Sequence, residues 1–155
     1  PAHRRDIPAI LRLVRELAAY EKEPEAVVAT ERMYADALFP DRGGPRVYAH
    51  VAEVNGAVVA MAVWFVNFST WTGRHGIWLE DLYVEEAHRC DGLGVALLAA
   101  LARLCIERGW TRIDWSVLRW NTPAIEIYEA LSAAPQTEWL DYRLQGEALA
   151  ALARR

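Results

Sequence analysis

Apolar residues recur at Ile10, Leu13, Val14 and Leu17, the i, i+3, i+4, i+7 spacing of one helical face. Asp6 is a candidate N-cap and Pro8 falls in the first turn, so a first helix is expected to end near Tyr20-Glu21. Pro24 breaks the chain. Thr30 can cap a second, shorter helix with an apolar stripe through Met33, Ala37 and Leu38, before a loop from Pro40 to Pro45. The pattern then changes to β-rich runs, Arg46 to Val54 and Ala57 to Phe68, on either side of Asn55-Gly56. That dipeptide best supplies the positive φ angles of a two-residue hairpin turn. A further turn at Thr72-Gly73 leads into a strand from Gly76 to Val84, so three antiparallel strands precede the glycines at 92 and 94. Leu97, Leu98, Leu101, Leu104 and Cys105 then give a helix with a wide apolar face, stopped by Gly109. Arg112 to Leu118 is strand-like. Pro123 opens a helix capped by Asn121 or Thr122, with Ala124, Ile127, Tyr128 and Leu131 expected as its buried stripe. Trp139 to Leu144 reads as a final strand, followed by an Ala/Leu-rich C-terminal helix. No repeat, low-complexity tract or linker interrupts residues 1–155, and the order of elements predicts a single α/β domain.

Composition narrows the function. A chain of 155 residues, 54% hydrophobic, can bury one substantial core without disulfides or metals. A net charge of −4 with dispersed Arg residues argues against nucleic-acid binding and suits a cationic substrate better. Cys90 and Cys105 are too few for a disulfide framework, and they share no metal-ligand spacing with His3, His50, His75 and His88. On that cysteine usage the expected compartment is the cytoplasm, with no metal; no apolar run approaches the roughly 20 residues that span a bilayer, so no membrane partner is expected. The chain begins Pro1-Ala2-His3-Arg4 without an initiating Met, which suggests that the natural N-terminus is trimmed from this sequence.

Chemistry concentrates between Ile77 and Tyr128. A helix N-terminus presents unpaired N–H groups and partial positive charge, and Gly92 and Gly94 let the backbone close around a phosphate there. Arg89 adds a permanent charge and a bidentate fork. The same glycines admit a dinucleotide reading, with Asp114 as the distal acid, but Leu97 stands where a third glycine belongs and the preceding strands form hairpins. Upstream, Glu80 and Asp81 interrupt an otherwise apolar strand; regular alternation points them to opposite faces and carries at least one toward a core. Either the pair is structural, held by Arg112 or Arg119, or partial burial makes Glu80 a base able to take a proton from an ammonium group. Tyr128, on an apolar stripe, fits a core aromatic as well as a catalytic acid.

The R-x-x-G-x-G turn after three antiparallel strands, together with Trp120-Asn121-x-Pro123 and Tyr128 in W-N-x-P-x-x-x-x-Y spacing, resembles the GNAT superfamily of acetyl-CoA-dependent N-acetyltransferases. Within it the chain is similar to the diamine (spermidine/spermine-type) acetyltransferases. This resemblance runs from Asp6-Ile7-Pro8 to Tyr142-Arg143-Leu144. It implies a mixed, largely antiparallel sheet flanked by helices and splayed near Glu80 to admit acetyl-CoA. It implies that Arg89, Cys90, Asp91, Gly92, Leu93, Gly94 and Val95 hold the cofactor pyrophosphate, that the strand backbone at Leu82, Tyr83 and Val84 lies along the pantetheine arm, and that Asn121 touches the cofactor. Glu80 is then the base, acting through water, and Tyr128 protonates the departing CoA thiolate. Tyr20, Glu21, Trp71, Glu80, Asp81 and Tyr142 would line an amine pocket, and a homodimer is implied.

Three positions depart from the family pattern. Cys90 stands where glycine is frequent, Ser69 where the eukaryotic polyamine enzymes carry Asp, and Tyr142 where they carry a pocket Trp. Fewer anionic anchors make a short diamine or a lysine-like amino acid as plausible a substrate as spermidine. A rival reading with the same fold is a non-catalytic acyl-CoA sensor or subunit.

Overall fold

The computed structural model describes residues 1–155, which divide into two compact units, Pro1–Ser116 and Val117–Arg155. In the first, helix α1 (Ile7–Tyr20) carries Pro8 in its opening turn. Asp6 precedes it but does not cap it through its side chain. Its buried carboxylate instead accepts a hydrogen bond from the His3 backbone N–H at 2.7 Å, closing the 3-10 turn at Arg4–Asp6. Helix α2 (Glu31–Leu38) is capped as expected, the Met33 N–H donating to Thr30 Oγ1 at 3.3 Å. Its inner stripe differs from the expected one: Met33 is 59% exposed, and Tyr34 takes the inward position one turn before the buried Leu38.

Strands β1 (Tyr48–Val54), β2 (Ala57–Ser69) and β3 (Arg74–Val84) form antiparallel hairpins, and the short β4 (Ile113–Trp115) adds to β3 in parallel, giving the mixed order β1-β2-β3-β4. Asn55 and Gly56 have φ of 52° and 81°, as the hairpin turn requires. One sheet face packs against α1 and α2 through Ile10, Leu13, Leu38, Met61, Val63 and Tyr83. Helix α3 (Leu93–Glu107), which buries Leu97, Leu98, Leu101 and Cys105, also packs on β2 and β3. Arg12 ties the first helix to the sheet: Nη2 donates to the Val58 carbonyl at 2.8 Å, and Nη1 bonds Glu16 at 2.7 Å and also Glu85.

Two irregularities in β3 shape the site. Val63 pairs with Asp81 and Trp64 with Leu79, so Glu80 is the extra residue of a β-bulge. Pairing with β4 covers only Ile77, Trp78 and Leu79, and stops immediately before that bulge.

The second unit holds helix α4 (Thr122–Ala130), with Asn121 at its N-cap position and Pro123 in its first turn, and helix α5 (Gly146–Ala153). The strand expected from Trp139 to Leu144 does not form. Its alternation suits a strand, but a strand exists only as part of a hydrogen-bonded ladder, and this segment pairs with none. Its side chains stay exposed, Tyr142 at 93%. Likewise β4 is three residues long where the sequence suggests seven, 112–118.

Candidate active site

The bulge decides where the carboxylates go. Cross-strand partners share a face, so Asp81 lies on the side of Val63, and Tyr83 two residues on lies there too. Val63 and Tyr83 belong to the core against α1 and α2. Leu79, paired with Trp64, points to the opposite face. Trp78 returns to the Asp81 side, and its indole Nε1–H donates to Glu80 Oε2 at 2.9 Å. The extra residue therefore turns both carboxylates toward the α1/α2 side, where regular alternation would have parted them. The burial expected of Glu80 falls on Asp81 instead. Glu80 is exposed, while burial, then the charges of Glu80 and Glu21, push the Asp81 carboxyl up to about 6. No hydrogen bond or ion pair within the chain satisfies Asp81. Arg112, a candidate partner from the sequence, is committed to Asp114, its Nε lying 2.8 Å from Oδ2. Asp114 also accepts from Asn67 Nδ2 at 2.7 Å.

Around this pair stand residues from the helices. Glu21 closes the C-terminus of α1, and burial raises its pKa. Tyr20 and Tyr34 pack on the same core. Burial, then the charges of Asp81 and Glu80, hold the Tyr34 phenol up at about 12. Tyr34 is not among the residues the sequence singled out. The available signal was its place four residues before Leu38, on the inner side of a capped helix. Trp71 sits at the β2–β3 hairpin tip, 87% exposed.

At the start of α3, Gly92 adopts φ 75° and Cys90 φ 74°. The first intrahelical bond runs from the Ala96 N–H to the Gly92 carbonyl at 2.9 Å. The amides of Leu93, Gly94 and Val95 thus lead the helix with no capping side chain, a donor set suited to a phosphate. A side chain at Gly94 would meet Val84 Cγ2 only at 3.7 Å, ordinary contact, so the space there does not itself demand glycine. The Arg89 guanidinium rests 4.9 Å from the Tyr20 ring centroid and 5.7 Å from that of Tyr83, with Nε 3.4 Å from the Val84 carbonyl. Beyond Leu79 the β3 edge carries no paired strand, leaving the backbone of Leu82, Tyr83 and Val84 without a ladder on that side. Within the second unit, Tyr128 is partly buried on α4, and burial raises its phenol pKa.

A four-stranded mixed sheet flanked by helices, with an open edge beyond the bulge and a glycine-containing turn opening a helix, defines an acetyltransferase of the GNAT type. The sequence pattern of the Acetyltransferase (GNAT) family matches residues 11–132, and the chain belongs to that family. It is 37% identical to the thialysine N-epsilon-acetyltransferase of Bos taurus, over 96% of this chain and 92% of the relative. It is 32% identical to the human spermidine/spermine N(1)-acetyltransferase-like protein 1, over 93% of this chain and 22% of that longer protein. The structure of an integron cassette protein from the mobile metagenome of Vibrio cholerae superposes with a TM-score of 0.81 at 24% identity, over 99% of this chain and 95% of that one. No helix is long and apolar enough to cross a membrane.

Proposed function

We propose that this enzyme transfers the acetyl group of acetyl-CoA directly to a primary amine of a small cationic substrate, either a diamine or polyamine or a lysine-like amino acid, in the cytoplasm. The observation that carries this reading is the carboxylate group on one side of the bulge. Asp81 is partly buried without an internal counterion, and Glu80 and Glu21 lie close enough for their charges to act on it. An unpaired buried carboxylate is costly, and an ammonium ligand offsets that cost.

In this reading Arg89 and the turn from Cys90 to Val95 hold the pyrophosphate. Arg89 is exposed, so a change of rotamer brings it from Tyr20 to a phosphate. The open edge at Leu82, Tyr83 and Val84 pairs with the amides of the pantetheine arm, and Asn121 adds a polar contact. Backbone N–H groups near Val84 stabilise the oxyanion that develops on the thioester carbonyl. Glu80, exposed and oriented by Trp78, takes the ammonium proton through water. The neutral amine attacks the carbonyl carbon, the C–S bond breaks and Tyr128 gives its proton to the thiolate, while the nitrogen, now an amide, releases its extra proton to water, from which the Tyr128 phenolate is reprotonated. Tyr20, Glu21, Trp71, Asp81 and Tyr142 receive the amine. Exposed apolar residues of the C-terminal segment, among them Trp139 and Leu140, support a homodimer that covers them. The thialysine relative, matched over nearly its whole length, supports turnover over a role as a non-catalytic acyl-CoA sensor.

The test is release of CoA from acetyl-CoA with a panel of diamines, polyamines, lysine analogues, aminoglycosides and peptide amines. Turnover of a small dibasic amine is expected. Glu80→Gln should slow it by roughly 100-fold at neutral pH, with partial recovery at higher pH where more substrate is already free amine. An unchanged pH–rate profile in that variant would return Glu80 to a structural role.

A further inference from the structure

We propose that Tyr34 is a specificity-determining residue of the amine site: its phenol, with Asp81 and Glu21, receives the second, non-reacting cationic group of a dibasic substrate. The inference deepens the functional reading above and rests on it. Three observations place Tyr34 there. The bulge turns Asp81 to the α1/α2 face. Val63, its cross-strand partner, and Tyr83, its neighbour on that face, belong to the core on which Tyr34 packs. Neither the Tyr34 hydroxyl nor the Asp81 carboxylate makes a hydrogen bond within the chain, although the charge of Asp81 reaches the phenol.

The chemistry selects the second cationic group over the first. The reacting nitrogen must lose its proton before it attacks, so it cannot remain the counterion of a buried carboxylate. A second ammonium keeps its charge throughout. Asp81, with its carboxyl pushed up to about 6, is mostly ionised at neutral pH and supplies the opposite charge. The phenol, held near 12, remains neutral. Its oxygen accepts an N–H from the ammonium, its O–H can donate a hydrogen bond to a carboxylate, and its ring face attracts a cation. Tyr34 thus adds recognition without adding another negative charge to a site that already holds three carboxylates.

The experiment is steady-state kinetics of Tyr34→Phe and Tyr34→Leu with putrescine, cadaverine and lysine, and with butylamine and pentylamine as monobasic counterparts. Where a monoamine turns over too slowly, its inhibition constant against the diamine takes the place of its KM. Tyr34→Phe should raise KM for the dibasic substrates about fivefold, with kcat within a factor of two and with the monoamine and acetyl-CoA constants unchanged. Tyr34→Leu, which also removes the ring, should raise KM further. Thermal melting of both variants tests whether packing is preserved, and the Phe variant is the one that decides. A KM for the dibasic substrates that does not move, or one that moves equally for the monoamines, overturns the role of Tyr34 alone. If the unsubstituted protein turns over no amine of the panel, the functional reading fails and this inference fails with it.

Discussion

At neutral pH the side chain of Asp81 carries its charge against a wall formed by Val63 and Tyr83, and the chain supplies no cation for it. The sign of the resulting pH dependence follows from the direction of the shift. The folded-state pKa, about 6, lies above the ordinary aspartate value of 3.8. Its favourable contribution is therefore fully present below the unfolded value and is lost as pH rises through about 6. Asp81→Asn is expected to melt several degrees higher than the parent at pH 7, with the gap closing toward pH 4, and to lose affinity for the amine. The linkage ceiling is roughly 3 kcal/mol; equal melting temperatures at pH 7 would show that the carboxylate is relieved in some other way. His50 acts in the opposite sense. Its imidazole, accepting from Trp64 Nε1 at 3.0 Å, is held down at about 4 by burial and by the N-terminal charge. Its contribution is thus lost as pH falls from about 6.5 toward 4. Melting curves of the Asp81 variant therefore need the parent at each pH as reference.

Among the elements, β3 is the least forgiving. A methyl group at Gly76 would lie 2.7 Å from both the Arg112 carbonyl oxygen and Asn67 Oδ1, closer than any real Cβ contact. Since one neighbour is backbone, relief requires the β3–β4 pairing to shift, not merely a rotamer. Gly76→Ala should cost about 1–3 kcal/mol, read as a lowered denaturation midpoint, while an unchanged midpoint would mean that β4 yields freely. Much of this architecture is legible in the residues themselves. Asn55-Gly56, Thr30, Pro123 and Gly109 act through local backbone preference, and local preference survives into the fold. The bulge at Glu80 is not legible, because it arises where two strands meet and no residue within β3 marks it. For the same reason the sequence names two carboxylates yet assigns the burial to the wrong one, and Tyr34 escapes notice. The missing strand at Trp139–Leu144 is the converse case, a β-like pattern with no ladder to join.

In the whole molecule, every buried residue lies at or before Cys105, and none of residues 117–155 is buried. Local opening is easiest where little apolar surface is removed from water. The segment carrying Asn121 and Tyr128 should therefore open without the core. Heating the protein while following turnover and tryptic cleavage should show loss of activity and cutting beyond Val117 several degrees below the loss of sheet signal by circular dichroism. Coincident transitions would instead mean that the C-terminal unit shares the stability of the core. The molecule also differs along its length in how it bears gain or loss of residues. In the stretch from Pro40 to Pro45, or between α4 and α5, an added residue lengthens a connection and leaves every face where it was. At Glu80 a single deletion is a shift of frame in space. Tyr83 would exchange sides with Leu82, the helical layer would lose its anchor, and Asp81 would move to the opposite layer. Over the descent of such a chain, substitutions at this position can alter its chemistry, whereas changes in length there would alter which layer the rest of the strand belongs to.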